Sequence, residues 1–291
     1  MSDYSFFKDQ VVLVTGGSRG IGLEFAKLGE ENGARVYATH YRTLQEEAAD
    51  LQSDGKLSFI EVDLRNAKDA QSLVARVVKN EGRLDVVNAN AAVSFLTPRG
   101  DISYERVRNE SRALNVDAVD TVSHTYRGYL RDTGRRGALV IPSSVIVPML
   151  GSSHDGNPNN DWIPVESFNP YASTKGAVEM LAGDYARTSN QSPDDGQLVV
   201  VVPRYGCVDT GLLRSEAEQL APQFSKRTGE IWTAERVFNE VFVSSNKSGR
   251  ILTPKETAEF TAQLLGDCLE DRLFRIVGQP GGPEPVDFNW K

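Results

Sequence analysis

Tyr171 and Lys175 stand four positions apart in the run Tyr171-Ala172-Ser173-Thr174-Lys175. On a helix that spacing puts both on one face, one turn apart. A cation held beside a phenol stabilises the phenolate and draws its pKa towards the working pH. A tyrosine set up in this way can exchange protons with a carbonyl or a carbinol. Spacing alone also fits a half-buried tyrosine beside a solvated lysine. What gives the pair weight is the glycine-rich run Thr15-Gly16-Gly17-Ser18-Arg19-Gly20-Ile21-Gly22 upstream and the Ser143-Ser144 pair between them.

The glycine run must be positioned by the elements around it. Val11-Val12-Leu13-Val14 reads as a strand buried on both faces, and Leu23, Phe25, Ala26 and Leu28 follow at helical spacing. In a strand, turn and helix of this kind, glycines let the backbone approach a pyrophosphate, and the helix N-terminus offers it free N–H groups. The alternative is a tight turn that holds no ligand.

A second strand, 35–39, ends at His40, Tyr41 and Arg42. An NAD site commonly has a carboxylate about 20 residues beyond its glycines to hold the ribose 2′-OH. Here His40 takes that place, and Arg19 and Arg42 could flank a 2′-phosphate. The expected cofactor is therefore NADP(H), unless the two arginines are merely solvated.

Further strands are expected at 57–62, 84–87, 137–141, 198–202 and 274–277, alternating with helices. The 137–141 strand must stop near Pro142, which cannot donate to a central ladder. Strict alternation predicts an α/β fold: a doubly wound, Rossmann-type parallel sheet of seven strands with helices on both faces. No linker or repeat interrupts residues 1–291, so one domain is expected. It carries a candidate substrate lid at 211–250, a long polar loop at 151–168 and an irregular Gly/Pro-rich tail. Within the loop, Asp155, Asn157, Asn159, Asp161 and Glu166 fall on calcium-loop positions. Asn160 stands where that loop needs glycine and Pro158 intrudes, so a polar surface excursion is the better reading and no metal is expected.

The net charge of −8, with no basic block to offset it, argues against a nucleic-acid partner. Cys207 and Cys268 make no disulfide framework, the first ten residues make no signal peptide, and no apolar run reaches the length of a membrane span. A cytoplasmic protein without membrane attachment is expected.

On these residues the chain resembles the short-chain dehydrogenase/reductase family over nearly its whole length. The T-G-x-x-x-G-x-G pattern matches Thr15 to Gly22, and Asn115, Ser144, Tyr171 and Lys175 match the catalytic tetrad. The resemblance implies an NADP-dependent oxidoreductase moving hydride between nicotinamide and a carbonyl or alcohol. It makes Tyr171 the acid/base, with Lys175 depressing its pKa and holding the nicotinamide ribose. Ser144 would bind the substrate oxygen, and Asn115 would hold a relay water. Beside Arg19, His40 and Arg42 from the reading above, it assigns Gly16, Ser18, Gly20, Ile21, Gly22, Asp63, Leu64, Asn90, Ala91, Val208 and Thr210 to cofactor binding, with Asp63 contacting the adenine. A homodimer or homotetramer is implied as well.

Three departures bear on substrate shape: Ala89 and Ala92 break the N-N-A-G pattern, Tyr205 replaces a proline, and the gap from Ser144 to Tyr171 is nearly twice the usual length. Two other readings remain open: a non-catalytic NADP-binding sensor or scaffold, and an atypical biosynthetic epimerase or cyclase.

Overall fold

The computed structural model describes residues 4–97, 101–147, 165–189, 197–246, 248–271, 274–279 and 288–290. Seven parallel strands form the sheet: β1 (Val11–Val14), β2 (Arg35–His40), β3 (Ser58–Glu61), β4 (Val86–Asn88), β5 (Gly137–Val140), β7 (Leu198–Tyr205) and β8 (Phe274–Gly278). Two short strands join them: β6 (Ser143–Ser144), parallel to β7, and β9 (Phe288–Trp290), antiparallel to β8. The order is β3-β2-β1-β4-β5-β7-β8-β9. The winding direction reverses between β1 and β4, and the carboxyl ends of strands flanking such a point form a crevice where ligands bind.

All four residues of β1 are buried, as a strand covered on both faces requires. On one side α3 (Ala67–Glu81), α5 (Ala118–Thr133) and α6 (Val165–Thr188) close a core around Leu73, Val122, Tyr126 and Val178. On the other, α1 (Gly20–Glu31) packs against α9 (Pro254–Asp271), burying Phe25, Ala26, Ala262 and Leu265. The helices α2 (Glu46–Ser53) and α4 (Tyr104–Arg112) complete the wrapping.

Residues 211–245 build a smaller unit from α7 (Gly211–Thr228) and the helical run opened by α8 (Ala234–Val237). Leu213, Ala217, Leu220, Phe224, Val237 and Phe242 form an apolar cluster of their own there, joined by Leu96 from the segment after β4.

The structure departs from the sequence expectation in three places. The last parallel strand does not end the chain's regular structure, because Phe288-Asn289-Trp290 alternates at the period of a strand and pairs with β8. β7 runs beyond Val202 through Pro203 to Tyr205, so that Arg204 and Tyr205 pair with Ser143 and Ser144. Helix α6 starts at Val165 and continues through Pro170, so it begins before Tyr171. Of the polar loop expected at 151–168, residues 151–164 lie outside the described residues, as does the calcium-loop pattern apart from its last position.

Candidate active site

Pro142 interrupts the chain between β5 and β6, as a residue without an N–H must. The two-residue strand beyond it carries Ser144 to the carboxyl edge of the sheet. There Ser144 and Tyr171 line one cleft with Ile21, Tyr205, Cys207, Val208, Thr210, Leu213, Glu216 and Phe242, of volume ≈ 120 Å³. Lys175 lies 5.7 Å from the centre of the Tyr171 ring and donates from Nζ to the Pro142 carbonyl at 2.9 Å. The carbonyl of the proline that ends β5 thus orients the lysine.

Asn115 reaches this group indirectly. It lies in a π-helical turn, Ala113–Asp117, between α4 and α5, a deformation that recurs at functional sites. Its amide bonds both ways to Val93, accepting from the N–H and donating to the carbonyl at 2.8 Å, and also donates to Thr174 Oγ1 at 3.1 Å. The Asn115 side chain therefore ties the segment after β4 to the residue beside Lys175. All four tetrad positions named from the sequence come together.

The electrostatics of the pair differ from the expectation. Burial pushes the Tyr171 phenol above its ordinary value, the Glu216 charge adds to that, and the Ser144 hydroxyl pulls the other way. Burial also lowers Lys175, to about 8, against the opposing pull of Glu179. With its ammonium drawn to Pro142 and desolvated, Lys175 does not offset the burial of the phenol, so no depressed phenol results from the protein's own groups.

The glycine turn fits a dinucleotide. Gly16 and Gly20 have φ of +62° and +57°, in the left-handed region that glycine enters without strain. A Cβ on Gly22 would come within 2.5 Å of both Asn90 Nδ2 and Gly16 O, and one on Gly16 within 2.9 Å of Ala91 Cα. Asn90 Nδ2 donates to the carbonyls of Thr15 and Gly16, the Ala91 N–H donates to Thr15 Oγ1, and the Gly16 N–H donates to Thr39 Oγ1. The turn is thereby held against the ends of β2 and β4 with the α1 N-terminus facing the crevice. Thr210, whose methyl a Gly20 Cβ would meet at 3.5 Å, lies over that N-terminus.

Arg19 and Arg42 are exposed, and His40 closes β2 with its Nδ1 buried and unpartnered among the described residues. Leu64 is buried in the core, and the Asp63 carboxylate is bonded by the Arg65 guanidinium at 2.8 Å on each oxygen. Asp63 therefore reaches the crevice already engaged.

Two residues went unnoticed in the sequence. Arg65 lies 4.8 Å from the centre of the Tyr41 ring, and Arg42 lies 4.9 Å from the same ring, so the basic edge holds a third guanidinium. The signal was its place just past β3. Glu216 is the other. It sits on the apolar face of α7 among Leu213, Ala217 and Leu220, 4% exposed. An acid at a position where helical period demands an apolar side chain was the available signal.

Comparison with known proteins agrees with this architecture. The short chain dehydrogenase family model matches residues 10–221. The chain belongs to the short-chain dehydrogenase family. It is accordingly an oxidoreductase that uses a nicotinamide cofactor, NAD or NADP. Among curated short-chain dehydrogenases, versicolorin reductase 1 of Aspergillus parasiticus is 24% identical, over 97% of this chain and 99% of its own length. Benzil reductase ((S)-benzoin forming) of Saccharomyces cerevisiae is 27% identical, over 94% and 98%. The 3-beta-hydroxysteroid dehydrogenase of Comamonas testosteroni is 27% identical over 59% of this chain and 61% of its own. No helix among the described residues is long and apolar enough to cross a membrane, and no cluster of metal-ligating side chains occurs among them.

Proposed function

We propose that this protein is an NADP(H)-dependent oxidoreductase of carbonyl or alcohol substrates, with Tyr171 as its general acid/base. The observation that carries the reading is the meeting of Ser144 and Tyr171 in one cleft, with Lys175 behind the tyrosine and Thr210 over the α1 N-terminus. Two relatives matched over nearly their whole length are reductases, which supports the carbonyl direction.

In reduction, Tyr171 gives its phenolic proton to the carbonyl oxygen, and in oxidation the phenolate takes the proton of the carbinol. A phenol held above its usual pKa by burial stays protonated at neutral pH, which suits the reductive role. Ser144 donates a hydrogen bond to the substrate oxygen as charge develops on it. Lys175 holds the nicotinamide ribose, and Asn115 fixes the segment after β4 and the helix turn carrying Thr174. Gly16, Ser18, Gly20, Ile21 and Gly22 cradle the pyrophosphate. Arg19 and Arg42, beside His40, hold a 2′-phosphate, and Val208 and Thr210 border the nicotinamide. The cofactor, when bound, supplies or accepts the hydride.

The test is Tyr171→Phe. It removes one hydroxyl, so the fold and NADPH affinity should persist while turnover of a responsive ketone falls by roughly a hundredfold or more. Turnover near the wild-type rate would end the mechanism.

A further inference from the structure

Glu216 is a carboxyl the hydride-transfer reaction does not require, yet it lines the same cleft as Ser144 and Tyr171. Its surroundings there are apolar: Ile21, Val145, Ile146, Leu213 and Phe242 among others. Helix α7 fixes its direction. Thr210 caps that helix by accepting from the Leu213 N–H at 3.3 Å, and Leu213, Ala217 and Leu220 anchor the same face in the apolar cluster. From the far side, the Leu96 N–H donates to Gln219 Oε1 at 3.0 Å and locks the 93–96 segment onto the helix.

That segment brings Ser94 near the carboxyl, where its hydroxyl exerts a stabilising pull but falls short of a full hydrogen bond; both residues are nine-tenths buried or more. Among the described residues no cation or other donor engages Glu216. Burial raises it to about 7. A carboxyl buried without a partner is costly, and a leucine in its place would continue the apolar face of α7. Stability gives no reason for an acid here.

A buried acceptor facing a mostly apolar cleft needs a donor, and the cleft is where one would arrive. We propose that Glu216 is a specificity residue that hydrogen-bonds a second polar group, a hydroxyl, on an otherwise apolar ketone or alcohol whose reacting carbon lies at Tyr171. This rests on the carbonyl/alcohol reading above and narrows it: the substrate class is hydroxylated apolar carbonyl compounds. Matching a substrate hydroxyl to a buried protein group discriminates strongly, because the analogue without it leaves that group unpaired.

The experiment compares 1-tetralone with its ring-hydroxylated isomers, using the NADPH-loaded protein. Two quantities are read for each compound: kcat/KM and the ligand-induced rise in melting temperature. At least one isomer should exceed the parent by about tenfold in kcat/KM and give the larger thermal shift. Glu216→Leu should erase that ratio, while Glu216→Gln, which keeps the shape and an acceptor oxygen, should retain part of it. The proposal is overturned if no isomer is favoured by either quantity in the wild type, or if the preference survives in Glu216→Leu. Failure of the underlying reading looks different: Tyr171→Phe would turn over normally, or no ketone would consume NADPH, while the thermal ratio still reported on Glu216.

Discussion

The carboxylate of Glu179 and the guanidinium of Arg204 meet at two points, each 2.7 Å, one helical turn beyond Lys175. Both side chains are buried, at 10% and 4% exposure, and Ser143 Oγ donates to the same carboxylate at 2.7 Å. The pair links α6 to β7 directly behind Lys175. Removing either partner takes the opposite charge away from a buried one. Glu179→Gln or Arg204→Leu should therefore cost about 3–5 kcal/mol, read as a drop in the denaturant midpoint at constant slope. A loss within experimental error would mean that the pair contributes no more than an exposed one.

The basic edge formed by Arg19, Arg42 and Arg65 predicts cofactor choice. With Arg19, Arg42 and Arg65 at this edge and the Asp63 carboxylate tied to Arg65, NADPH should bind at least about tenfold more tightly than NADH, about 1.4 kcal/mol. Fluorescence titration of both cofactors measures the ratio. Arg42→Ala should weaken NADPH more than NADH, and an equal or reversed ratio in the wild type would remove NADP from the proposal.

Lys175 predicts a pH limb. Burial lowers it to about 8, so the ammonium is present below that pH and lost above it. The kcat/KM for ketone reduction should be level on the acid side and fall as pH passes through about 8. A profile flat from pH 7 to 9 would show that the lysine's charge is not required.

Glu216 predicts a stability difference whose size depends on pH. Its folded pKa is raised from 4.5 to about 7, so the native state holds the proton more tightly than the unfolded chain. The contribution is fully present below pH 4.5 and is lost as pH rises through about 7. Glu216→Gln does not titrate. Relative to it, the wild type should lose about 3 kcal/mol between pH 4.5 and pH 8, and denaturant unfolding at several pH values would show the gap opening. The neighbouring Tyr171, Tyr205 and Cys207 stay neutral across that window, since burial raises all three.

The sheet was legible because its strands are short apolar runs closed by glycine, proline or polar residues, and all seven parallel strands lie where those runs predict. The tetrad was legible because Tyr171, Lys175 and Ser144 sit at fixed places on such elements. What escaped was decided by tertiary contact. The strand expected at 198–202 continues to Tyr205 and so brings Arg204 to Glu179. Helix α6 starts at Val165, inside the stretch 151–168 expected to be a polar loop. Arg65 and Glu216 carry no motif, and only the folded chain shows which ring or cleft each one faces.

The wide turn at Ala113–Asp117 changes the phase of one long helical rod. Each residue advances an α-helix by about 100°, so a single extra residue absorbed in one turn rotates everything after it by that angle. Upstream, α4 packs against α6; downstream, α5 turns its buried stripe towards α3. Two neighbours on different sides are thus served by one continuous rod without a break in the backbone. Deleting one residue from this turn would leave a smooth helix but aim its two halves incorrectly, and Asn115 could not reach Val93 and Thr174 together.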